Sequence, residues 1–175
     1  KLAINLSGAT LADPGFPDWV AALLQRVPIN PAQIGFEVTE SQQIADWQAA
    51  CKLLERLRET GFSISLDDFG TGLATFDYLT SFPFDVLKID GQFIRGIADN
   101  RVSQAIVSSI TAVATTMQLK TVAEFVEDDR VSALVAGLGV DFVQGYGVGR
   151  PLPVSVIAEQ LQSHDSTTGT DSGGV

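Results

Sequence analysis

Six short apolar runs in this chain each carry, at or near their C-terminal end, a polar side chain that packing alone does not call for. Asn5 lies near the end of LAINL, Glu37 within IGFEVT, and Asp67 and Asp68 directly follow FSISL. Lys88 stands near the end of DVLKI, Glu124 ends LKTVAE, and Gln144 ends DFVQ. The set holds amides, carboxylates and one lysine, with no His, Cys or Ser nucleophile. All-oxygen ligands of this kind suit hard cations such as Mg²⁺ or Mn²⁺. Adjacent Asp67 and Asp68 allow one carboxylate to bridge two ions while the other binds one of them. Two ions roughly 3.5–4 Å apart clamp the attacking and leaving oxygens of an in-line phosphoryl displacement. Without cations the carboxylates would repel one another. Lys88 could orient a water and stabilise developing charge, and the glycines of DDFGTG (Asp67–Gly72) let backbone N–H groups approach a phosphate.

Plainer readings stand beside these. Asn5 could be a satisfied strand-end amide, Asp67–Asp68 a helix cap, Lys88 a buried ion-pair lysine and Gln144 a structural amide. Glu40 could be an acid favoured by a helix dipole, and Glu127, Asp128 and Asp129 solvated acids at a helix start. Glu37 resists such a reading, because a carboxylate inside an apolar strand is costly to bury uncompensated.

The elements that must position these groups alternate regularly. Strand-like runs at Leu2–Leu6, Ile34–Thr39, Phe62–Leu66, Asp85–Ile89, Leu119–Glu124 and Phe142–Gln144 are separated by helical patterns. The first helix, Phe16–Val27, aligns Trp19, Val20, Leu23, Leu24 and Val27. The second, Ile44–Glu59, aligns Trp47, Cys51, Leu54 and Leu57, and Gly61 is placed to stop it. Thr75–Thr80, Val102–Met117, Asp129–Leu138 and Val154–Leu161 are the remaining helices. By spacing, Trp47, Cys51 and Met117 belong to the core. Six βα units imply a parallel α/β sheet, either open and doubly wound or a (β/α)₈ TIM-like barrel. A barrel mouth gathers all six strand ends into one site, whereas an open sheet spreads them along an edge, so the barrel is expected. A complete barrel takes about 250 residues, which makes this chain the later six units with the N-terminal part missing. Residues 1–162 read as one domain and 163–175, which include His164, as a disordered tail or linker.

The 175 residues are 45% hydrophobic and 18% charged, the balance of a folded soluble domain. A net charge of −10 without a basic stripe argues against DNA or RNA as a partner. One cysteine, Cys51, excludes an internal disulfide. No signal peptide or membrane-length apolar run is visible, so a cytoplasmic location is expected, with membrane anchoring open through upstream segments.

Read in order, INLS, FEVTES, DDFGTG, LKID, AEFVE and QGY resemble the EAL domains, which hydrolyse cyclic di-GMP to linear pGpG. The likeness runs from Lys1 to about Pro153 and implies an EAL-type barrel with two Mg²⁺ or Mn²⁺ ions. It implies Asn5, Glu37 and Asp67 as ligands of the first ion, Asp67 bridging to a second held by Asp68 and Glu124. Lys88, Glu124 and Gln144 would be catalytic, with Glu40 anchoring the loop after Asp68. Asp68, Phe69, Gly70, Thr71, Gly72 and Glu127 would meet the substrate. The Glu-Ala-Leu segment, with one more ligand and a phosphate-binding arginine, would precede Lys1, as would a sensory or GGDEF-type module; a homodimer is compatible. Phe125 stands where the commonest family pattern has glycine. The rival classes are a catalytically inactive receptor for the same dinucleotide and a purely structural domain.

Overall fold

The computed structural model describes residues 1–42, 44–71 and 76–167, the side chains at 76–78 and 161–167 excepted. Six strands, β1 (Leu2–Asn5), β2 (Ile34–Thr39), β3 (Ser63–Phe69), β4 (Val86–Ile89), β5 (Lys120–Ala123) and β6 (Phe142–Val143), form one sheet. Their order is β1-β2-β3-β4-β5-β6 and every neighbouring pair is parallel. Strictly sequential order is that of a barrel wall and lacks the reversal point of a doubly wound sheet. The helices are α1 (Gly8–Leu11), α2 (Phe16–Arg26), α3 (Trp47–Glu59), α4 (Phe76–Ser81), α5 (Gly91–Ile94), α6 (Arg101–Thr116), α7 (Asp129–Gly137) and α8 (Val154–Thr167).

The register fixes which side chains share a face. Asn5 pairs with Glu37, Glu37 with Ser65, Ser65 with Val86, and Lys88 with Val122. Because the side-chain period is two, Asn5, Glu37, Asp67, Lys88 and Glu124 lie on one face of the wall. The opposite face carries Phe36, Val38, Ile64, Leu66 and Leu87, which form one buried cluster with Val20 of α2 and Leu53, Leu54 and Leu57 of α3. Ile89 and Ala123 form a second cluster with Ile94, Val107 and Val135. In β4 the consecutive residues Leu87, Lys88 and Ile89 are all buried, as expected of a strand covered on both faces.

Three helices, α3, α6 and α7, share one construction. Asp46, Asn100 and Asp128 cap α3, α6 and α7 through side-chain oxygens that accept backbone N–H bonds. Each helix ends on a left-handed residue, namely Gly61 (φ 106°), Gln118 (φ 60°) and Gly139 (φ 92°). The next N–H then returns to the last helical turn: Phe62 to the Leu57 carbonyl at 3.3 Å, Leu119 to Ala114 at 2.8 Å and Val140 to Val135 at 3.1 Å. Phe62, Leu119 and Val140 are all buried, so the stop that ends each helix also plants the first apolar residue leading into the next strand.

Several expectations shift. β3 runs on to Phe69, so Asp67 and Asp68 belong to the strand and not to the loop after it. α3 starts on its Asp46 cap, which leaves Trp47 in the first turn and 45% exposed. Its ring packs on Phe82 at 5.1 Å at the cluster rim and is not a core side chain. Cys51 and Met117 are partly buried against the cluster. Trp19 and Val27 are exposed, Trp19 stacking on Phe16 at 5.9 Å. The short helices α1 and α5 carry too few residues to show a period. α8 continues past Leu161 to Thr167, and residues 168–175 lie outside the described ones.

Two aspartates serve the strand starts. Asp85 accepts the Ile64 N–H at 3.0 Å and Arg58 Nε at 2.8 Å. Asp141 accepts the Thr121 N–H at 2.9 Å, Thr121 Oγ1 at 3.0 Å and Lys120 Nζ at 2.6 Å. Asp141→Ala strands a buried N–H and hydroxyl and is expected to lower unfolding free energy by about 1–3 kcal/mol in urea titrations. Asp141→Asn, which keeps an acceptor, should cost less. The Lys120 and Thr121 bonds hold the Asp141 carboxyl below its ordinary range. Its contribution is therefore complete above that range and fades as pH falls through the lowered value; the alanine variant should lose less stability on acidification.

Candidate active site at the strand ends

The inner face converges on one nitrogen. Lys88 Nζ lies 2.7 Å from Glu124 Oε1, 2.8 Å from Asp67 Oδ1 and 3.2 Å from Glu37 Oε1. These partners come from β2, β3 and the end of β5, on both sides of β4. In a flat sheet, strands β2 and β5 would stand about 14 Å apart; reaching one ammonium from both requires a curled wall. Lys88 is only 5% exposed. Burial works to lower its pKa, but the bonds to Asp67 and Glu124 outweigh it, and the ammonium is held above its ordinary value.

The carboxylates exceed what one lysine offsets. Desolvation pushes the Glu124 carboxyl up, countered in part by Lys88 and reinforced by Asp67 and Asp68. Asp68 is likewise raised by burial, then by Asp67 and Asp90. Asp67, Asp68 and Glu124 each offer an oxygen, all within 4.8 Å of one another. In a regular strand, Asp67 and Asp68 would point to opposite faces. Here Asp68 is left-handed (φ 57°), within a register irregularity between Leu66 and Phe69, and the kink brings the second carboxylate to the first. An excess of negative charge on an all-oxygen donor set is what hard divalent cations fit.

The loop after Asp68 is held from two sides. Glu40, 6% exposed, accepts the N–H groups of Gly70 at 2.6 Å and Thr71 at 3.1 Å. Gln92 of α5 donates to the Gly70 carbonyl at 3.1 Å. A Cβ at Gly70 would sit 2.4 Å from the Phe93 ring, and its φ is +99°, so only glycine fits. Thr71 Oγ1 donates to the Asp68 carbonyl at 2.9 Å. Phe69 packs with the helix-side cluster, and Gly72 lies outside the described residues.

Asn5 is exposed on β1, opposite Glu37 in register. Gln144 and Glu127 are exposed and share with Glu124, Phe125, Arg95 and Tyr146 a cavity of about 450 Å³. Sequence reasoning missed Asp90, which caps α5 by accepting the Gln92 N–H at 2.8 Å and raises Asp68; its place in LKID was the available signal. It also missed Arg95, whose guanidinium covers the Phe125 ring at 4.1 Å and which has no signal in the sequence. Lys88→Met removes the shared counter-charge of buried carboxylates and is expected to cost about 3–5 kcal/mol when unfolded by urea in EDTA. Millimolar Mn²⁺ should recover part of that loss.

The EAL domain family model matches residues 1–151. The chain is 39% identical over 162 residues to the cyclic di-GMP phosphodiesterase PdeB of Shewanella oneidensis, covering 93% of this chain and 19% of that protein. A solved complex of the PaMucR phosphodiesterase with c-di-GMP superposes with a TM-score of 0.79 at 42% identity, over 91% of this chain and 63% of that one. A manganese and cyclic di-GMP complex of Klebsiella pneumoniae BlrP1 gives 0.75 at 32% identity, over 83% of this chain and 38% of that one. The fold is thus shared with solved domains of this kind, and the chain belongs to the EAL domain family.

Proposed function

We propose that the protein carrying this domain hydrolyses one phosphodiester bond of cyclic di-GMP to give linear pGpG, using a water activated by two divalent cations. The observation that carries the reading is the Lys88 ammonium shared by Glu37, Asp67 and Glu124, with Asp68 beside them. With cations bound, that donor set suits an anionic phosphodiester attacked by water.

Asn5, Glu37, Asp67, Asp68 and Glu124 would hold two Mg²⁺ or Mn²⁺ ions, which supply neutralisation of the phosphodiester and an acidified water. Lys88 keeps Glu37, Asp67 and Glu124 converged before any cation arrives, so little rearrangement accompanies loading. Its Nζ stays protonated and is a hydrogen-bond donor inside a water-poor site, where such a donor acts most strongly. Glu40 ties up the Gly70 and Thr71 N–H groups and so holds the loop that follows Asp68. Gln144 and Glu127 line the cavity beside Glu124 and would meet the nucleotide there.

The chain spans about a fifth of the length of PdeB, which leaves room for a sensory or GGDEF-type module elsewhere in the protein. Among the described residues, no helix is long and apolar enough to cross a membrane; a cytoplasmic site is proposed, where a nucleotide messenger would be met.

The test uses the intact protein with cyclic di-GMP and Mg²⁺ or Mn²⁺, with and without EDTA, following pGpG by chromatography. Product should require the cation, and Asp67→Asn should lower kcat by about 10²–10³-fold or more. Tight cation-dependent binding without product would instead identify a receptor.

A further inference from the structure

Phe125 occupies a conformation that bulky side chains avoid. Its φ is 53°, in the left-handed region where a large L-residue is an outlier that surrounding contacts must enforce. It directly follows Glu124. The contacts that enforce it are specific. The ring lies so close to Gly91 that a Cβ there would stand 2.1 Å from Phe125 Cδ2 and 2.7 Å from Cγ. The Arg95 guanidinium covers the ring at 4.1 Å from its centroid. Gly91 and Arg95 flank a single turn of α5, which starts three residues after Lys88.

The same seam is crossed by two further contacts. Glu124 N donates to the Ile89 carbonyl at 3.2 Å, and Glu124 Oε1 meets Lys88 Nζ at 2.7 Å. On the other side, Val126 N donates to the Gln144 carbonyl at 3.0 Å. The Phe125 turn therefore sits between Glu124, fastened to β4, and Gln144, fastened after β6. Backbone bonds hold both flanks, and the ring is the side chain that packs across the turn between them. At 44% exposure the ring contributes little burial of its own, so filling the core does not account for it.

We propose that Phe125 is a positioning residue: its ring, seated on Gly91 and covered by Arg95, locks the left-handed turn that aims the Glu124 carboxylate at Lys88 and at the cations that Asp67 and Asp68 share. The inference rests on the cation-dependent reading of the site. It predicts a reciprocal pair, since a methyl at Gly91 must evict the ring, and removing the ring must make that methyl harmless.

The test compares wild type, Gly91→Ala, Phe125→Gly and the double variant in the intact protein. Mn²⁺ affinity is read by calorimetry without substrate, kcat and KM with cyclic di-GMP, and folding by thermal melts. Gly91→Ala and Phe125→Gly should each weaken Mn²⁺ binding and lower kcat by about 10-fold or more, with KM little changed. The double variant should match Phe125→Gly alone. Additive losses in the double variant, or single variants that shift only the melting temperature, would overturn the proposal. Should Gly91→Ala fail to fold, Phe125→Gly against Phe125→Leu decides the same point, the leucine being expected to retain more Mn²⁺ affinity. Absence of hydrolysis in the wild type would reject the phosphodiesterase reading, while the calorimetry would still decide the role of Phe125.

Discussion

A single ammonium, Lys88 Nζ, is bonded to carboxylates delivered by three different strands, and the geometry of the inner face follows from it. Buried like charges repel strongly, and Glu37, Asp67 and Glu124 can approach one another only around a cation. The lysine supplies a partial solution in the folded chain itself. It leaves Asp68 and Glu124 with raised carboxyl pKa values, so the lysine offsets only part of the negative charge gathered there. The wall must curl to bring these strand ends together. That curl in turn places the apolar side chains of β2, β3 and β4 on the outer face, where α2 and α3 cover them.

Two strand ends break regularity at the same place in the structure. β3 kinks at Asp68 and the chain after β5 kinks at Phe125, both left-handed. Each kink is braced by the short helix α5, through Gln92 and Phe93 at Gly70 and through Gly91 and Arg95 at Phe125. A four-residue helix thus connects the loop after the paired aspartates to the turn after Glu124. Strain of this kind persists only where neighbouring structure over-determines it, and here it lies at the carboxylates grouped around Lys88.

Much of this was legible in the sequence because misplaced polarity is informative. A glutamate in IGFEVT or a lysine in DVLKI has no stable place in a covered strand without partners, and the structure supplies those partners to each other. The βα alternation was equally readable from period, and β2 falls on the residues expected. What period could not show was conformation. Nothing about Gln118 or Phe125 as residue types announces a left-handed backbone, and the four residues of α5 are too few for a pattern. Trp47 misled because spacing assigns a face but not a depth: the helix starts at Trp47 on its Asp46 cap, later than the expected Ile44, and its first turn lies at the rim. Composition assigns Asp85 and Asp141 no role. Only the register shows that they serve the opposite ends of the strands.

The central claim is that the Lys88 cluster is a preformed site for two divalent cations that share Asp67. The most direct measurement is anomalous diffraction at the manganese edge from crystals of the intact protein grown with Mn²⁺. Two peaks are expected about 3.5–4 Å apart, both within about 2.0–2.6 Å of Asp67 oxygens, with Asp68 and Glu124 on the second. Peaks absent from this cluster, or a single ion that leaves Asp68 and Glu124 uncoordinated, would contradict it.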